Sequence, residues 1–244
     1  MNKIKSLGLL AAALIAVAGC TTPGTGGGGS STDGGAPPAP PALVPGAEVD
    51  AANWISDVET AMSGLKTYSI DMSASTTTAG TTMDVTFVGK IDKSDPDPAN
   101  TQFDGSMSVS GMSIDMIVTK TDAYMNMGGS WTKMSADARP DINGTTEPVN
   151  LVTAMKSGIK SVKYVGEETL SGTPTRHFEV TATDSSDGGI LGNLTGSTVV
   201  INVWLDADNF QRKAEFTATR DADTATVSVT VNDINVPVTI TAPI

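Results

Sequence analysis

Residues 198–219, TVVINVWLDADNFQRKAEFTAT, decide the fold. Val199, Ile201, Val203 and Leu205 recur at every second position, the period of a strand with one buried face. The acidic tip LDADNF interrupts that period at Asp206 and Asp208, and a second run follows over 210–219. Two alternating runs around a short polar tip read as an antiparallel hairpin. Outward from it, Val227, Val229 and Val231 repeat the pattern in 224–232, and further strands are expected at 162–170, 175–183 and 236–242. On the upstream side Tyr68, Ile70, Met72 and Ala74 share one face. Met83, Val85, Phe87 and Ile91 do the same, as do Phe103, Met107 and Val109. Met112, Ile114, Met116 and Val118 come next, after a turn at Gly111. Tyr124–Met127 and Trp131–Met134 then form a short hairpin around Gly128-Gly129.

Two segments change the period to 3.6. In VDAANWISDVETAMSGLKTY the residues Ile55, Val58, Met62 and Leu65 form one apolar stripe, with Asp50 as N-cap. Pro148 to Ile159 groups Leu151, Val152, Met155 and Ile159 on a second helix. DGGILGNLTG, 187–196, is apolar but Gly-rich and reads as a short helix or a flexible lip. The expected fold is mainly β within the α+β class. It is a large curved antiparallel sheet of about 11 strands, its apolar face covered by two or three helices.

The N-terminus is organised differently. Lys3 and Lys5 precede an apolar run from Leu7 to Val17, too short to span a bilayer and suited to a signal peptide. It ends in Val17-Ala18-Gly19-Cys20, small residues before the only Cys of the chain, the bacterial lipobox pattern. Residues 1–19 are therefore expected to be a lipoprotein signal peptide, and Cys20 the acylated mature N-terminus carrying palmitate-type chains. Residues 20–45 follow as a Gly- and Pro-rich disordered tether, with an r.m.s. span of roughly 30 Å. Residues 46–244 form a single folded domain.

Composition removes several functions. The chain has 27 acidic residues against 15 basic ones, a net charge of −12, so no basic footprint exists for nucleic acid. Attachment to an anionic leaflet would rest on acyl chains instead of basic residues. One Cys and one His exclude an internal disulfide and the common Cys/His zinc sites. His177, out of phase with Phe178 and Val180, is expected at the solvent face, and no G-x-S-x-G elbow is present. The acidic groups Asp92, Asp95, Asp97 and Asp206, Asp208 lack calcium-loop spacing and read as solvated turns. No metal, cofactor or catalytic activity is expected.

Five segments carry a family resemblance: LKTYSIDMSAS, AYMNMGGSWTKM, LSGTPTRHFEVTAT, VVINVWLDADNFQRKAEF and the ending VTVNDINVPVTITAP. On these the body resembles the actinobacterial lipoproteins of the LppX/LprG type, within the LolA-like half-barrels. The resemblance implies a half-open β-barrel whose helices, on the concave side, enclose an apolar cavity. It also implies a role in binding or carrying lipid or lipoglycan in the cell envelope. Expected partners are the outer face of the cell membrane, reached through Cys20, a lipid ligand and a membrane transporter, with the protein itself a monomer. The alternative is a membrane-anchored sensor or protein-interaction module with a filled core; LolA-like folds serve both ends.

A cavity of this kind would be lined by the helix stripe and by one phase of the strands. The expected lining is Ile55, Val58, Met62, Leu151 and Met155 from the helices. From the strands it is Ile70, Met72, Val85, Phe87, Met107, Met112, Ile114, Met116, Ile201 and Val203. Seven of the 11 methionines fall between Met83 and Met134, and unbranched thioethers suit either an adaptable lipid surface or ordinary core filling. Met127 is expected with Met107, Met112 and Met116 on an apolar strand face.

Overall fold

The computed structural model describes residues 43–135, 156–183, 198–220 and 223–244. The signal peptide, Cys20, the tether to residue 42, Leu151, Val152, Met155 and the 187–196 lip lie outside these residues.

A two-residue strand, β1 (Glu48–Val49), leads into the helix α1 (Ala51–Ser63). Asp50 caps the helix as expected, its carboxylate accepting from the Asn53 amide at 2.8 Å. Eleven strands follow: β2 (Thr67–Thr78), β3 (Thr81–Asp92), β4 (Gln102–Val109), β5 (Met112–Val118), β6 (Ala123–Asn126), β7 (Trp131–Lys133), β8 (Ile159–Leu170), β9 (Thr173–Thr183), β10 (Thr198–Leu205), β11 (Gln211–Arg220) and β12 (Asp223–Asn232). They form one antiparallel sheet in the order β1-β8-β9-β10-β11-β12-β2-β3-β4-β5-β6-β7. The sheet does not close on itself, which makes it a half-open barrel with β1 and β7 at its edges.

Turn chemistry sets the register. Ala79-Gly80, Ser110-Gly111 and Ser171-Gly172 each place both residues at positive φ, from 48° to 87°. That is the two-residue turn whose twist matches the flanking strands, and glycine takes its second position without steric cost. The β10–β11 tip is held by side chains. The Asp206 carboxylate accepts from the Asp208 and Phe210 amides and from Arg212 Nε at 2.7 Å. Arg176 donates to the Asp206 carbonyl and to Asn209.

Four expectations need correction. Residues 236–242 are not a strand: Pro237 has no amide to donate to a ladder, and the chain leaves the sheet after β12. Its Asn235 instead receives the Lys66 amide on Oδ1 at 2.8 Å and donates its own amide to the Thr67 carbonyl at 2.7 Å. Ile159, assigned to the second helix, opens β8, where it pairs with Ala182 of β9. Met127 lies in the β6–β7 turn and is 65% exposed, because β6 ends one residue earlier at Asn126. Asp206 is buried, not solvated, since the hairpin uses its carboxylate as an internal acceptor. Strand β1 was not anticipated; two residues carry no period.

Candidate functional site: a graded apolar face

Residues directly opposite in an antiparallel ladder share a face, so the register assigns every strand side chain to one side of the sheet. One row runs Val162–Val180–Ile201–Phe216–Val227–Ala74–Val85–Val109–Met112. The next runs Tyr164–Phe178–Val203–Ala214–Val229–Met72–Phe87–Met107–Ile114 along the same ladders. Ile70, Gly89, Gly105 and Met116 form a third. All ten strand residues expected in the lining therefore lie on one face. The helix stripe packs on that face too, with Ile55, Val58 and Met62 buried in the same core as Ile201 and Val203. Met62 reaches β11, its sulfur 3.5 Å from the Gln211 amide.

The face has two halves with different exposure. Across β8–β11 it is closed: Val162, Phe178, Val180, Val199, Ile201, Val203, Ala214 and Phe216 are all buried. Across β2–β6 burial falls off in steps along the strands. The row Tyr68–Ile91–Phe103–Val118–Ala123, nearest α1's C-terminal end, is at most 2% exposed. Met72, Phe87, Met107 and Ile114 are half-buried. Met112 and Met83, at the far end, are 70% and 49% exposed. Ile201 and Val203 thus sit in filled core, whereas Met72, Val85, Phe87, Met107, Ile114 and Met116 line an incompletely covered apolar surface.

A glycine pair shapes this surface. Gly89 and Gly105 face each other across β3 and β4, and the Phe103 ring lies against both. A Cβ at Gly105 would collide with the Val88 carbonyl oxygen and that ring. The space they leave lets Phe103 stack on Phe87, centroids 5.1 Å apart and planes 12° apart.

Sequence periodicity missed Trp54, which sits one turn before Val58 on α1. Its ring packs on Phe178 at 5.7 Å, and its buried indole Nε1 finds no hydrogen-bond partner among the described residues. The i, i+4 spacing to Val58 was the available signal, masked by the adjacent Ile55.

The opposite face is polar. His177 lies there, as its phase required, but its side chain is only 12% exposed. It stacks on Trp204, centroids 4.3 Å apart, between Glu168 Oε1 at 2.8 Å and Asn202 Oδ1 at 2.9 Å. Trp204 Nε1 donates to Glu168 Oε2 at 2.9 Å. That bond most of all, helped by the His177 contact, holds the Glu168 carboxyl below its ordinary value against the desolvation that burial imposes. This group ties β8, β9 and β10 together. Two clefts of about 450 and 490 Å³ also draw most of their lining from the polar face, among them Ser73, Ser75 and Asp84 in one and Asp71, Lys90 and Asp104 in the other. In the turn after β3, Asp95 accepts from Lys120, which follows β5, at 2.8 Å and from the Asp97 amide, and these bonds lower the pKa of its carboxyl to about 2. Among the described residues no cluster of three metal-ligating side chains occurs.

No curated protein matches the chain by sequence. Among solved structures, LprF from Mycobacterium bovis superposes with a TM-score of 0.56 at 15% identity, covering 79% of this chain and 96% of that one. The Mycobacterium tuberculosis lipoprotein LppX gives 0.51 at 14%, covering 78% and 98%. The fold is thus shared with these two mycobacterial proteins. Residues 50–183, more than half of the chain, match the model of the family described as a "Family of unknown function (DUF6612)", and the chain belongs to that family.

Proposed function

We propose that this protein is a non-enzymatic, exported lipoprotein that binds the acyl chains of an amphiphilic lipid or lipoglycan and carries them within the cell envelope. One observation bears most of the weight: a continuous apolar sheet face that is packed at one end and progressively uncovered at the other. An ordinary core would be covered throughout, because exposed apolar area is unfavourable by about 25 cal/mol per Å². Methionines at the uncovered end suit chains of varied shape. Acyl chains laid on Met72, Phe87, Met107 and Met116 would gain about 0.8 kcal/mol per buried CH₂ relative to water. The headgroup would remain at the exposed rim. Kinship of fold with LprF and LppX, both mycobacterial, supports an envelope setting, and the lipobox at Cys20 supports the anchor.

The closed half across β8–β11 favours a second reading, a membrane-anchored interaction module with a filled core. Mass spectrometry of the protein isolated under native conditions from its own host separates the two, together with a pair of Trp substitutions. A co-isolated lipid is expected. Met116→Trp should lower uptake of a fluorescent fatty acid while leaving stability nearly unchanged, since the ring enters uncovered space. Val203→Trp should cost roughly 1–3 kcal/mol by overpacking. A parent protein without lipid, taking up no fatty acid, together with marked destabilisation by both substitutions, would sink the carrier reading.

A further inference from the structure

We propose that the β2–β6 end bearing the β2–β3, β4–β5 and β6–β7 turns is a membrane-docking surface, seated on the lipid headgroup layer. Antiparallel order places these three turns at one end of the sheet and next to each other. Each brings an exposed methionine: Met83 at 49%, Met112 at 70% and Met127 at 65%. Three large apolar side chains exposed at one end, from β3, β5 and the β6–β7 turn, are more than isolated surface residues.

Charge selects the occupant. The protein is strongly acidic, with a net charge of −12, so most of its surface is repelled by an anionic leaflet. The stretches Thr76–Met83, Met107–Ile114 and Asn126–Ser130 contain no charged residue. Glycine and hydroxyl residues fill the rest of these tips, and Ala79-Gly80 and Ser110-Gly111 are tight two-residue turns. The Asp223 carboxylate, which accepts from the Ala79 amide at 3.1 Å, is a charge beside the first turn; the tips themselves are uncharged and can insert their methionines at the acyl boundary. The apolar face also becomes most exposed at this end, so a chain leaving the bilayer would meet Met83 and Met112 before the stacked Phe87 and Phe103.

This deepens the carrier reading, and its transfer measurement rests on it, but a direct measurement of docking does not. In the direct measurement the full chain is reconstituted in vesicles of brominated phosphatidylcholine, and M127W is compared with V88W. Val88 is similarly exposed but lies on the polar face. Docking predicts extra tryptophan quenching, beyond the parent's, in M127W and none in V88W. Equal quenching in both, or none in either, overturns the proposal. In the second measurement a fluorescent fatty acid is supplied from phosphatidylglycerol vesicles or as monomer in solution. M83D combined with M127D should slow uptake from vesicles at least about tenfold and leave uptake of monomer unchanged. Equal slowing from both sources would also overturn docking. If the parent takes up fatty acid from neither source, the carrier reading fails, and the quenching result alone decides docking.

Discussion

At the residue scale, Asp206 shows how one side chain turns a sequence motif into a fold marker. Its carboxylate is buried and serves three donors: the Asp208 and Phe210 amides and Arg212 Nε. Removing it leaves a partly buried guanidinium and two amides without their acceptor, a loss that costs about 3–5 kcal/mol when a buried pair is broken from one side. Asp206→Ala should therefore lower stability in urea by about 3 kcal/mol, the lower end because Arg212 retains some exposure. Asp206→Asn should cost less, since its amide oxygen still accepts the backbone bonds. Equal stability of Asp206→Ala and the parent would show that the motif is not held by this carboxylate. Spacing in LDADNFQR gave the hairpin; it could not reveal a buried acid, because acids at hairpin tips are ordinarily solvated.

At the scale of elements, alternation was the strongest signal and the ladders explain why. Each of β2, β3, β4, β5 and β10 keeps one phase throughout, so a residue's parity settles its face. That made the common face of these ten strand positions legible together. Coverage was not legible: Ile201 and Met112 have the same pattern in their strands, yet one is 1% and the other 70% exposed. What covers a strand is decided by elements distant in sequence. Nor could the period reveal Gly89 and Gly105, whose role depends on the Phe103 ring lying across them. A Gly105→Ala change asks for space already occupied by the Val88 carbonyl and that ring. It should destabilise by roughly 1–3 kcal/mol as overpacking and separate the Phe87–Phe103 stack, seen as a loss of upfield-shifted ring protons in NMR spectra. Gly172→Ala is the contrasting case: no neighbour lies within 4 Å of its Cβ, and strain at φ +84° is the whole cost.

For the whole molecule, attachment and folding are separate questions. Acylation at Cys20 requires the thiol, so Cys20→Ala should yield a protein that leaves the detergent phase for the aqueous one on phase separation. A lipid-modified form of that variant would refute the anchor. The body meanwhile is one compact unit from Val44 to Ile244, and its sheet carries a consequence for the order of events. Strand β2 is paired on one side by β3, a neighbour in sequence, and on the other by β12, through the register Ser69↔Asn232 to Thr77↔Thr224. The Asn235 and Asp233 side chains then fasten Lys66 and Ser69 across nearly the full length of the domain. A chain emerging N-terminus first must hold the second edge of β2 open until its last strand exists. Long-range pairing of this kind is slow to form. Until that seam closes, β2 through β7 are half a sheet with an unpaired edge, and the polar alternation of Ser69, Asp71, Ser73 and Ser75 lies along it. Completion of the sheet is therefore governed by β12 and the Asp233 and Asn235 side chains that follow it, and a chain cut before Asp223 would lose the join between β2 and β11.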